Sequence, residues 1–122
     1  MGEAGRAAVS GTGRLTTHVL DTATGRPAAG MALELWHLPG SEPPQRIGGW
    51  TTNADGRVDA PLLQGTTLRA GEYELLFDVV GWRAGAGFYD TVPIRFRIHD
   101  ADAHYHVPLI LSPFGYATYR GS

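Results

Sequence analysis

From Leu15 onward the chain alternates apolar and polar residues in short runs broken by Gly, Pro, Asn and Asp. That period-two pattern predicts strands, and their spacing predicts an all-β sandwich or barrel. In residues 15–21, Leu15, Thr17 and Val19 share one face while Thr16, His18 and Leu20 share the other. The run closes at the turn-rich Thr24-Gly-Arg-Pro27. Residues 31–38 set Met31, Leu33 and Leu35 against Ala32, Glu34 and Trp36, and a polar loop from Pro39-Gly40 through Pro43-Pro44 follows. Residues 46–52 predict a further strand.

Asn53-Ala-Asp-Gly56 has the composition of a hairpin turn, since these residues tolerate the positive φ angles of tight reversals. It fixes Arg57 at a corner. Residues 72–79 place Tyr73, Leu75, Phe77 and Val79 inward and Glu72, Glu74 and Asp78 outward. Residues 80–86 are glycine-containing and predict one or two helical turns. In residues 91–98, Val92, Ile94, Phe96 and Ile98 oppose Pro93, Arg95 and Arg97, and the outward Pro93 predicts an edge strand or bulge. Two last strands, residues 104–111 and 116–120, are joined by the turn Ser112-Pro-Phe-Gly115. Period-two geometry sends Tyr105, Val107, Leu109 and Leu111 to the core, so His104, His106, Pro108 and Ile110 share the opposite face.

Composition narrows what this scaffold does. At 122 residues the chain is one domain's length, enough to bury roughly two-thirds of the unfolded surface. Residues 1–13 are small and Gly/Ala-rich and read as a flexible lead-in, with the domain running from 14 to 122. There is no cysteine, so disulfides, thiolate metal sites and cysteine nucleophiles drop out. Ten basic and twelve acidic residues give a net charge of -2 and no electrostatic footprint for nucleic acid. No apolar run approaches the roughly 20 residues of a membrane helix, no signal-peptide core is present, and Arg6 breaks the myristoylation pattern after Met1-Gly2. The expectation is a cytoplasmic protein that engages neither membrane nor nucleic acid.

Three histidines, His18, His104 and His106, therefore stand on faces opposite the core, where Thr, Lys or Glu is ordinary. Singly, each is read as a solvated side chain. Facing one cavity together, they suit general acid/base work near neutral pH. His-x-His spacing with His18 as a third ligand is also compatible with zinc, although no carboxylate is placed to orient the imidazoles. No Gly-x-Ser-x-Gly elbow occurs, and Ser112 before Pro113 is a turn former. Glu72, Glu74 and Asp78 read as a solvated strand face.

Four segments resemble the transthyretin-like 5-hydroxyisourate hydrolases: Leu15-Thr-Thr-His-Val-Leu-Asp21, Thr52-Asn-Ala-Asp-Gly-Arg57, His104-Tyr-His-Val-Pro-Leu-Ile-Leu-Ser-Pro113 and Tyr116-Ala-Thr-Tyr-Arg-Gly-Ser122. The terminal Tyr-Arg-Gly-Ser is the specific part, because it separates these enzymes from transthyretin, the hormone carrier of the same fold. The resemblance implies a seven- to eight-stranded sandwich with one short helix at residues 80–86. It also implies a homotetramer, a dimer of dimers with strands paired edge to edge and polar channels between the dimers. His18, Arg57 and His106 match the family's catalytic residues. His104, Tyr119 and Ser122 match positions lining the same pocket, and His18 and Arg57 also contact substrate there. Arg120 belongs to the motif without an assigned role. Ala117 stands where the family often has Ser, and the lead-in before Arg14 is extra. The implied reaction opens the six-membered ring of 5-hydroxyisourate in urate degradation, giving 2-oxo-4-hydroxy-4-carboxy-5-ureidoimidazoline, with no cofactor and no metal. A ligand carrier without chemistry is the alternative on the same fold.

Overall fold

The computed structural model describes residues 12–121. Its strands are β1 (Arg14–Asp21), β2 (Arg26–Pro27), β3 (Ala32–Leu38), β4 (Gln45–Thr51), β5 (Leu63–Gln64), β6 (Gly71–Asp78), β7 (Thr91–Ile98), β8 (His104–Ser112) and β9 (Gly115–Thr118). A single turn of 3-10 helix (Gly65–Thr67) follows β5, and one short α-helix, α1 (Val79–Trp82), follows β6. β2 and β5 are only two residues each, and without them the longer strands are the seven that alternation predicts. The first sheet runs β2-β1-β8-β9, with β5 also on β1, and the second runs β4-β3-β6-β7.

The inner faces are those the period-two pattern selects. Leu15, Val19, Tyr105, Val107, Leu109 and Leu111 from the first sheet are buried against Leu33, Leu35, Leu75, Phe77, Val92, Ile94 and Ile98 from the second. Each such side chain contributes roughly 1.5–3 kcal/mol by leaving water. Thr17 and Asp21 are the polar members of β1's inner face; the Thr17 hydroxyl donates to the Val107 carbonyl at 2.7 Å, and the Asp21 carboxylate accepts from Ala23 N and the Thr24 hydroxyl, each at 3.1 Å. β7 lies at a sheet edge, so the missing donor of Pro93 breaks no interior ladder.

Two segments depart from the sequence expectation. The helix starts one residue early, capped by the Asp78 carboxylate accepting from Gly81 N at 3.0 Å. It stops at Trp82 because Ala84 (φ 54) and Gly85 (φ 86) are left-handed. The turn at residues 53–56 forms, but it does not return the chain alongside β4. The residues after Arg57 include Pro61 and no alternating run, so nothing there can pair with β4. Instead the chain crosses to the first sheet, where Arg57 forms an antiparallel bridge with His18.

β1 and β8 form a parallel pair, with Arg14 opposite His104, Thr16 opposite His106 and His18 opposite Pro108. Residues opposite one another in a parallel ladder point to the same side, so the outward residues of both strands make one surface. The second sheet lies behind that surface as its support.

Candidate active site

The outward surface is built in four columns. At one side stands Arg57, next the β1 residues Thr16 and His18, next the β8 residues His104 and His106, and last the chain end, where Gly121 bridges His106. Each column is fixed by backbone bonding. Asn53 N donates to the Arg57 carbonyl at 2.7 Å, and the Asn53 side-chain oxygen accepts from Asp55 N at 2.9 Å and Arg57 N at 3.1 Å. Gly56 (φ 72) passes so close to the Val19 carbonyl that a Cβ would collide with it, and its own carbonyl accepts from Val19 N at 2.8 Å. This turn holds the Arg57 backbone against β1.

On the far side Gly121 N donates to the His106 carbonyl at 2.7 Å. A Cβ on Gly121 would stand 2.6 Å from His106 Cδ2, so glycine is required for the tail to lie flat on the imidazole. Arg120 gives the tail a second anchor, with Nη2 donating to the His104 carbonyl at 3.1 Å and the guanidinium 4.4 Å above the Tyr105 ring. The role left open for Arg120 in the sequence is thus clamping the tail to β8.

A cavity of about 350 Å³ opens on this surface, lined by Arg14, Thr16, Arg57, His104, Tyr105 and His106. His18, Arg57 and His106 come together: Arg57 bridges His18 on the backbone, and its charge acts on both imidazoles. Burial is the first cause that pushes His106 below its ordinary value of 6.5, with Arg57 and then His18 adding to it. Burial followed by Arg57 lowers His18 as well, while Asp55 opposes the shift through a backbone hydrogen bond and its charge. Both imidazoles are therefore held neutral at pH 7, the form that can accept a proton.

His104 lines the same cavity, but its Nε2 lies 3.1 Å from the Thr12 carbonyl. Facing an acceptor, that nitrogen is a donor. Tyr119 is not brought to this cavity. It is 60 % exposed and lines a separate, mostly apolar one of about 260 Å³ with Ile94, Phe96 and Val107. Ser122 lies outside the described residues. Among the described residues no group of three His, Asp or Glu side chains is arranged to hold a metal ion, and no helix is long and apolar enough to cross a membrane.

Arg14 and Thr16 were not legible as site residues. Their side chains reach the cavity because β1 runs parallel to β8 in this register. The one available signal was that Thr16 shares a strand face with His18.

The chain matches known proteins over nearly its whole described length. A family model described as the HIUase/Transthyretin family matches residues 15–121. A 5-hydroxyisourate hydrolase of Mesorhizobium japonicum is 56 % identical over 90 % of this chain and 93 % of its own. A second, 5-hydroxyisourate hydrolase 2 of Rhizobium meliloti, is 52 % identical over 93 % of this chain and 100 % of its own. The solved structure of Klebsiella pneumoniae 5-hydroxyisourate hydrolase superposes with a TM-score of 0.76 at 35 % identity, covering 90 % of this chain and 99 % of that one. With the two-sheet architecture already in place, these matches make the assignment direct: the chain belongs to the HIUase/Transthyretin family.

Proposed function

We propose that this chain is an enzyme that hydrolyses 5-hydroxyisourate in urate degradation, and that the histidine-lined cavity is where it does so. The observation that carries the reading is the joint placement of His106, His18 and Arg57, two imidazoles held neutral beside a fixed cation. The relatives named above supply the substrate class. Hydrolysis of a ring amide needs a water made nucleophilic and negative charge stabilised on the carbonyl oxygen.

His106, supported by His18, takes a proton from water as the water oxygen bonds to the ring carbonyl carbon. Arg57 presents its planar fork of donors to the anionic or carbonyl edge of the substrate. The carbon–nitrogen bond then breaks, the ring nitrogen receives the proton, and the six-membered ring opens to 2-oxo-4-hydroxy-4-carboxy-5-ureidoimidazoline. In this reading no cofactor or metal takes part.

The same reading includes a homotetramer, a dimer of dimers in the cytoplasm, whose assembly places Tyr119 and Ser122 of the tail at a subunit boundary to orient the substrate. His104 serves as a wall of the pocket. The test is the decay of freshly generated 5-hydroxyisourate, followed against its spontaneous loss. An excess rate proportional to protein concentration is expected, and binding without excess decay would favour a carrier. Deleting residues 119–122 should abolish most of that excess. A truncated protein with full turnover would remove the tail from the site.

A further inference from the structure

We propose that Thr16 is a positioning residue for His106: its hydroxyl accepts the Nδ1 proton of the imidazole and so leaves the Nε2 lone pair facing the cavity. This rests on the reading of His106 as the base. The carrying observation is the 2.9 Å separation between Thr16 Oγ1 and His106 Nδ1, formed because the two residues are directly opposite in the β1–β8 ladder.

The ring is gripped on both sides of Cγ. Thr16 holds the Nδ1 side, and Gly121 lies against the Cδ2 side. The remaining edge, Cε1 and Nε2, is the one left to point away from the sheet. A base needs a bare nitrogen on that edge. A histidine side chain left to itself prefers its neutral proton on Nε2, which would present a donor there instead, so the tautomer must be imposed by what Nδ1 bonds.

Thr16 differs from its neighbours in this respect. The hydroxyls of Thr17, Thr22 and Thr118 each donate to a backbone carbonyl. Among the described residues the Thr16 hydroxyl meets only the imidazole. An oxygen that accepts from Nδ1–H in the neutral ring also accepts from it in the protonated ring, so it need not turn during proton transfer. A carboxylate would hold that proton more tightly, but it would also raise the imidazole's proton affinity. A neutral hydroxyl fixes the tautomer without that charge. Among the described residues the charged and titratable groups around His106 are Arg57 and His18 on the β1 side and His104, Tyr105 and Arg14 along the cavity wall, and none of these is a carboxylate.

The test compares Thr16→Val, which keeps the branched shape without the hydroxyl, with Thr16→Ser, which restores it, in the full chain. The first readout is the ring nitrogen chemical shifts of labelled His106. The second is steady-state turnover of 5-hydroxyisourate. In the unsubstituted protein His106 should carry its neutral proton on Nδ1. In Thr16→Val the proton should move to Nε2, with kcat down about 10-fold, the loss of one neutral hydrogen bond, and KM within about two-fold. Thr16→Ser should restore both readouts. Retention of the Nδ1 tautomer or of full kcat in Thr16→Val overturns the proposal. Full turnover in His106→Ala would instead overturn the assignment of the base, and the tautomer shift would still decide whether Thr16 holds the ring.

Discussion

The outward faces of the two sheets are made by the same alternation and are put to opposite use. On the second sheet the outward charges are matched across the strands: Arg95 with Glu74 at 3.0 Å, Arg97 with Glu72 at 3.8 Å and Arg46 with Glu34 at 3.5 Å. On the first sheet the corresponding positions hold Thr16, His18, His104, His106 and, beside them, Arg57, and among the described residues no carboxylate pairs with that guanidinium. Paired and solvated charges are electrically quiet and contribute little. An unpaired cation beside half-buried imidazoles changes their proton affinity and leaves its donors free for a ligand. Among the described residues the difference between the supporting face and the reactive one is therefore the absence of a carboxylate paired with Arg57, not the amount of charge.

Breaking the reactive face should cost most at its base. His106→Ala should lower kcat/KM by roughly 10²- to 10⁴-fold with the circular dichroism spectrum unchanged. Next comes the uncompensated cation. Arg57→Gln should lose roughly 10- to 100-fold, the range for a hydrogen bond to a charged group. It should also move the acid limb of the pH–rate profile. In the unsubstituted protein kcat/KM should rise with pH through an apparent value below 6.5, because burial first and Arg57 second depress His106. Without Arg57 that limb should move up toward 6.5. An unmoved limb would show that the guanidinium does not govern the imidazoles. Gly121→Ala should follow, with a loss on the order of 10-fold, because the new Cβ displaces either the ring of His106 or the tail. Its thermal midpoint should stay where it was, since the tail adds little to the core. Smallest of all should be Glu74→Gln on the other face, a change within about 1 kcal/mol in stability and none in turnover. A turnover defect there would break the comparison.

The sequence carried the strands well and their neighbours poorly. Leu15, Thr17 and Val19, or Leu75 and Phe77, declare their inward face by period alone, and the outward histidines follow at once. Which strand lies beside which is not a local property. Thr16 could not be read as a contact of His106 because that requires knowing that β1 pairs with β8, in parallel and in a given register. The turn at residues 53–56 was legible as chemistry but not as topology, since its Asn, Asp and Gly fix a reversal without naming the strand that receives it. The two-residue strands β2 and β5 are too short to show any period. The limit of the helix was visible in principle, because Gly85 sits inside the stretch 80–86 over which a helix would have to continue. Tyr119 was the other gap: motif membership says nothing about which cavity of a single chain the ring lines.

The β1–β8 pairing has a kinetic consequence. Thr16 and His106 are 90 residues apart in sequence, and the chain between them contains the entire second sheet. Closing so long a loop carries an entropic cost that is recovered only when the intervening strands have already packed. The reactive surface should therefore be among the last parts of the molecule to appear during refolding, and activity should return after, never before, burial of Trp50 and Trp82 against the core. A half-folded chain would hold a formed second sheet and no working site.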